Sequence, residues 1–235
     1  MRAPLRLATL CLALWAPLPG GAESALPPLA DAGGPAWHAV GRVNVAGFKR
    51  RTICTGTLVA PDLVVTAAHC VTRGDGRSVP LGDLHFVAGW HKGAHAGHAR
   101  AVAVHLHPRW RGTGRSEVAA DIAVIRLDAA LEVAPLGFGA AGRPNGGRAI
   151  LGYQASRPHA LGGRTGCGGV AVAPGHMRLD CAAAPGASGG PVLERHGDAW
   201  RVVGVVSGGA PPGAPPRTHA ALLDRWALGH LARPR

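Results

Sequence analysis

The sequence predicts an all-β protein with one helix near its C-terminus. Three observations carry that expectation. Its apolar residues fall in short β-branched runs, among them AVGRVNVAG, CTGTLVAP, LVVTAAH, RAVAVHLH, IAVIRL and WRVVGVVSGG. Gly and Pro, 36 and 20 of the 235 residues, punctuate the intervals between those runs. No heptad and no fixed-period repeat runs through the chain. Closely spaced short strands with turn residues between them build a sandwich or barrels, and these observations leave both open.

The N-terminus reads first. Arg2 and Arg6 accompany an apolar run, Leu7 to Leu18, that is too short to cross a bilayer, and small residues follow up to Ala22. That is the layout of an export signal cleaved near Ala22. Residues 23–35 read as a short propeptide or N-terminal arm. No later stretch is apolar for long enough to form a membrane helix, so the expected mature chain is secreted or periplasmic, with no membrane span. The strands listed above follow in order. GGAPPGAPP, Gly208 to Pro216, reads as a surface loop, because adjacent prolines and glycines prevent regular pairing. The tail THAALLDRWALGHL reads as the helix, with Leu222, Leu223, Trp226 and Leu231 on one apolar face.

Charge and cysteines bound the class. The formal charge of +12 falls to about +10 once Arg2 and Arg6 leave with the signal. A basic balance favours acidic surfaces in general. Here the excess is almost all arginine, with only Lys49 and Lys92, and Ala, Gly and Pro are abundant, as a GC-rich coding bias produces. No nucleic-acid-binding module is present, and no nucleic-acid partner is expected. Cys11 leaves with the signal, and Cys54, Cys70, Cys167 and Cys181 remain. An even count in an exported chain predicts disulfides, but four cysteines allow three pairings and spacing does not choose among them. The lack of a Cys-x-x-Cys pair argues against a thiolate metal site.

Three short stretches carry chemistry: Thr66-Ala67-Ala68-His69-Cys70, Asp121-Ile122-Ala123-Val124, and Gly186-Ala187-Ser188-Gly189-Gly190-Pro191. Each alone has an ordinary explanation. A His beside a core strand is usually structural, Asp121 is also suited to pair with a nearby arginine, and GASGGP is also a Gly-rich turn. Together they supply what nucleophilic catalysis needs. A serine hydroxyl is a poor nucleophile until a base takes its proton. An imidazole, with an unperturbed pKa of about 6.5, suits that task. A carboxylate orients the ring and stabilises its charged form. Glycines beside the serine permit a tight turn and close substrate approach.

In the order His, Asp, Ser, these motifs resemble the chymotrypsin-type serine proteases, and the likeness spans roughly Trp37 to Leu231. The resemblance implies two antiparallel six-stranded β-barrels with the active site between them, within a protease domain over 36–235 that divides near 125–145. It implies His69 as general base, Asp121 as its orienting acid, Ser188 as nucleophile, and the Gly186 and Ser188 N–H groups as oxyanion hole. It also implies the pairings Cys54–Cys70 and Cys167–Cys181.

Two departures from the animal enzymes matter. Ala187 stands where they carry an Asp that pairs with a new N-terminal amine after zymogen cleavage, and an Ile-Val-Gly-Gly start is missing. The stretches CTGTLVAPDLVVTAAHC, LHFVAGW and LDCAAAPGASGGPV are instead similar to exported bacterial proteases of the glutamyl-endopeptidase type. By position, Ala182 and Ala183 line the primary pocket, opposite Ser207, Gly208 and Gly209. No acid sits at its base, and Val206 stands where glutamyl-specific relatives carry a His. An uncharged P1 side chain is therefore expected.

His85, His91, His95, His98, His105 and His107 crowd one region, but no helix is expected there to align them, so they read as a solvated loop or hairpin. No acidic cluster supports calcium. No metal and no cofactor are expected, and the partners are protein or peptide substrates of a monomer. The alternative is a non-catalytic cationic binding protein on the same fold; the complete His-Asp-Ser set argues against it.

Overall fold

The computed structural model describes residues 31, 34–47, 50–112, 115–142, 147–210 and 215–232. The expected export signal, most of 23–35 and part of the 208–216 loop lie outside them. The first half contains β1 (Val40–Gly47), β2 (Arg50–Ala60), β3 (Leu63–Thr66), β4 (Leu84–Ala88), β5 (Gly97–Leu106) and β6 (Ala123–Leu127). They close into an antiparallel barrel in the order β1-β2-β3-β6-β5-β4, and Gly41 opposite Ala88 is one of the pairs that seal it. β4 shows the underlying alternation: Leu84, Phe86 and Ala88 point inward and are buried, whereas His85 and Val87 are half-buried.

The second half contains β7 (Gly137–Phe138), β8 (Arg148–Gln154), β9 (Arg157–Cys167), β10 (Gly169–Ala173), β11 (His176–Leu179), β12 (Pro191–His196), β13 (Ala199–Gly209) and β14 (Thr218–Leu222). Its path is β10-β11-β14-β13-β12-β8-β9, with β7 added in parallel to β13. This is two strands more than the expected six. β7 is only two residues long, and β10 is the outer arm of a hairpin with β11. The Cys167–Cys181 disulfide, with Cα atoms 5.5 Å apart, joins the end of β9 to the residue pair after β11, across the two ends of the path.

The halves meet through a shared core. Val65, Ile122 and Val124 from the first pack with Leu151, Tyr153, Leu161, Leu193 and Val205 from the second. Full burial of such side chains contributes about 1.5–3 kcal/mol each. Described strands and helices include none long and apolar enough to cross a membrane as a helix.

The tail departs from expectation. Thr218–Leu222 is β14, hydrogen-bonded to both β11 and β13, and the helix α1 spans only Arg225–Leu231. Five residues reading THAAL carry no period that separates strand from helix, and the strand edges of β11 and β13 decide it. Asp224 then starts the helix, its side chain accepting from the Ala227 N–H at 3.0 Å. Leu223, Ala227 and Leu231 are its buried contacts; Leu222 and Trp226 are only half-buried.

Candidate active site

The pairing of β3 with β6 brings the first two candidate residues together. Thr66 ends β3 opposite Ala123, which starts β6. His69 lies three residues beyond one and Asp121 two residues before the other, so both emerge at the same end of the barrel. His69 occupies a 3-10 turn, Ala68–Cys70, which the Cys54–Cys70 disulfide ties to β2. Its Nδ1–H donates to Asp121 Oδ2 at 2.7 Å, and its backbone N–H donates to Oδ1 at 2.9 Å. Ser207 Oγ donates to Oδ2 at 2.6 Å. The carboxylate is 3 % exposed, and these three donors offset its loss of hydration. The imidazole is 37 % exposed. With its proton on Nδ1, the neutral ring keeps the Nε2 lone pair for a proton acceptor's role.

Ser188 reaches this place from the other half of the molecule. Its carbonyl oxygen lies 3.6 Å from Cys70 Sγ, and His69 Nε2 lies 3.7 Å from the same sulfur. The turn that carries Ser188 needs glycine for steric reasons. Gly186 and Gly189 have φ of +97° and +79°. A Cβ on Gly189 would also strike Thr66 Oγ1 and the Thr55 carbonyl oxygen, and one on Gly190 would strike the Leu151 carbonyl oxygen.

The backbone of this turn has a selective pattern of bonds. The N–H groups of Ala187, Gly189 and Gly190 donate to Ala184, Val206 and Ala187 carbonyls at 3.0, 2.7 and 2.9 Å. Among the described residues, the N–H groups of Gly186 and Ser188 donate to no carbonyl. Two unclaimed donors flank one side chain, an arrangement suited to an oxyanion.

The trypsin family model matches residues 32–223. The chain belongs to the trypsin family. As a member it is a serine endopeptidase, a hydrolase of peptide bonds. Its fold is shared with the protease Anisep from Arthrobacter nicotinovorans, at 19 % identity and a TM-score of 0.65, over 79 % of this chain and 90 % of that one. It is shared too with the thermostable serine protease AL20 from an extremophilic microorganism, at 17 % identity and a TM-score of 0.66, over 80 % and 93 % of the two chains. No curated protein sequence matches the chain.

In this trypsin-family protein the residues expected to line the primary pocket differ in their surroundings. Ala182 and Ala183 are buried, each 4 % exposed. Gly209 packs against the Ala183 carbonyl oxygen, and a Cβ at Gly208 would meet nothing within 4 Å. Gly208 thus has open space beside it, whereas Gly209 is closed against the backbone of Ala183. Ser207 differs: its hydroxyl donates to Asp121. The register of β13 on β14 slips between Val206 and Gly208, and Ser207 is the extra residue of that bulge.

Sequence reasoning missed Thr55 altogether. It is fully buried on β2, and its side chain reaches Gly186 and Tyr153 in the other half. The histidines expected on a solvated loop or hairpin divide: His85, His95 and His98 cluster on β4, β5 and the segment between them, whereas His107 is buried and bonds Asp224 at 2.9 Å, because the helix start packs over it. His85 Nδ1 and His98 Nε2 lie 2.9 Å apart across β4 and β5, with His95 edge-on to His98. Burial, then the neighbouring His85, His95 and Arg100, hold His98 below the ordinary histidine pKa. Among the described residues, the group whose potential ligand atoms all lie within 4.8 Å is Cys54, His69 and Cys70, and its two sulfurs are already joined to each other.

Proposed function

We propose that this serine endopeptidase works through His69, Asp121 and Ser188. Ser188 Oγ attacks the scissile carbonyl carbon while His69 Nε2 takes the hydroxyl proton. The oxygen that becomes negative lies against the Gly186 and Ser188 N–H groups. His69 passes the proton to the leaving amine as the C–N bond breaks, leaving an acyl-enzyme. Water, deprotonated by His69, then releases the acid and restores Ser188. The observation that carries this reading is the His69–Asp121 pair set beside a turn with two unclaimed N–H donors.

The finer assignments follow from the same residues. Ala182, Ala183 and Gly208 put methyl groups and open space, not charge, around the P1 side chain, so the enzyme prefers uncharged P1 residues. Ala187 and the CTGTLVAP stretch support a reading of it in the exported bacterial branch, near the glutamyl endopeptidases in sequence pattern but without their Glu preference. The protease domain covers 36–235 and divides near 125–145, between the two sheets. The segment before it directs export to the periplasm or beyond, where the disulfides are stable. The protein acts as a monomer on peptide or protein substrates.

Labelling of the purified mature protein with a fluorophosphonate probe, followed by peptide mass spectrometry, tests the assignment. One adduct on Ser188, lost in Ser188→Ala, is expected. A folded, disulfide-bonded protein that takes no label would instead favour a cationic binding protein on this fold. A peptide library that shows Arg or Glu at P1 cleaved as well as neutral residues would refute the specificity.

A further inference from the structure

We propose that Thr55 is the positioning residue that holds the oxyanion site in shape; this deepens the reading of Ser188 as nucleophile and rests on it. The need for such a residue is visible in the turn itself. Ala187 stands where animal relatives carry an ion-paired Asp, and its methyl is fully buried among Ile150, Val192 and Val206. No ionic anchor is therefore available at that residue. Gly186, at φ +97°, adds rotational freedom that the turn must lose before its N–H can aim at an oxygen.

The carbonyls show how that freedom is removed. Pro185 O accepts from the Ala155 N–H at 2.8 Å, Ala187 O from the Gly190 N–H at 2.9 Å, and Ser188 O from the Thr55 N–H at 2.8 Å. Those three bonds come from the backbone, and many side chains at these positions would keep them. The Gly186 carbonyl alone is held by a side chain, Thr55 Oγ1, at 2.9 Å. The Thr55 oxygen in turn accepts from the Tyr153 N–H at 2.9 Å, which directs its own hydrogen toward Gly186. The Thr55 carbonyl is fixed by Thr66 Oγ1 at 2.8 Å. One residue thus clamps the peptide units on both sides of Ala187 and Ser188 and ties them to the strands bearing the His69 turn. With the Pro185, Gly186, Ala187 and Ser188 carbonyls held, the Gly186 and Ser188 N–H groups are what the turn offers to the substrate. Preorganised donors of this kind are the source of oxyanion stabilisation.

The test compares Thr55→Val, which keeps the shape and removes the hydroxyl, with Thr55→Ser, which keeps the hydroxyl. The readouts are the rate constant for fluorophosphonate labelling of Ser188 and kcat and KM on p-nitrophenyl acetate. Loss of a direct oxyanion donor lowers kcat about 10²–10³-fold, so loss of its support should lower labelling and kcat roughly 10- to 100-fold. KM and the pH midpoint of labelling should not move, since neither substrate contact nor His69 is touched. Thr55→Ser should stay within about threefold of wild type. Wild-type rates in Thr55→Val, or equal losses in both variants, would overturn the proposal. If Thr55→Val does not fold, Thr55→Ala decides on the same readouts; failure of both to fold assigns Thr55 to the fold and overturns the role proposed. Wild-type protein unlabelled at Ser188 would overturn the nucleophile assignment instead.

Discussion

Ser207→Ala isolates one hydrogen bond of the site. Asp121 accepts three: from His69 Nδ1, from the His69 backbone N–H and from Ser207 Oγ. A hydrogen bond to a charged group contributes roughly 1.5–3 kcal/mol. If all of it were lost in the transition state, kcat would fall about 10- to 150-fold, at 1.36 kcal/mol per tenfold. The two bonds from His69 remain and keep the ring on the carboxylate, so the expected loss is at the lower end, about tenfold. KM should change little, and the P1 ranking not at all, because the hydroxyl is on Asp121 and, in the reading proposed above, the pocket is lined by Ala182, Ala183 and Gly208. The assay is kcat and KM on a neutral-P1 peptide ester, repeated across a P1 series. A change in P1 ranking would put Ser207 in the pocket and refute the geometry. An unchanged kcat would show that the 2.6 Å bond contributes nothing to orientation.

Asp121→Asn should lower kcat on the order of 10⁴-fold, because an amide holds the wrong imidazole tautomer; a near-normal rate would remove Asp121 from the mechanism. Glu194 is buried and accepts from Arg148, 2.7 Å away, and from the Gly142 N–H at 2.8 Å. Glu194→Ala leaves a buried guanidinium unpaired and should cost about 3–5 kcal/mol in urea unfolding; a loss below about 1 kcal/mol would refute that. Asp224 caps α1 and accepts from His107 Nε2 at 2.9 Å. Burial pushes its pKa up, but the Ala227 N–H and His107 outweigh that and leave it lowered. A lowered carboxylate pKa adds stability above the ordinary carboxylate range. That stability goes as pH falls through the group's own lower value. Asp224→Asn should thus melt below wild type at neutral pH, and the gap should close in acid. A gap that stays constant into strong acid would refute the linkage.

The strands and the three chemical motifs are legible because their signals are local. Alternating β-branched runs specify a half-buried strand within a few residues, as in Leu84–Ala88. Serine, histidine and aspartate announce their chemistry by type and by the glycines beside them. The tail departs from its expected helix where that locality fails: THAAL has no period of its own, and β11 and β13 recruit it as a strand.

By itself the sequence determined an all-β chain with its nucleophile, base and acid candidates named. Tertiary structure alone decided what holds them. Ser207 donates to Asp121 from a bulge in β13, where the strand's register slips. Thr55 reaches Gly186 across 131 residues and Tyr153 across 98, from one sheet to the other. Neither bond has any trace in the residues next to it. A hydrogen bond needs two groups within about 3 Å, and for distant residues only the packing of the two halves brings them that close.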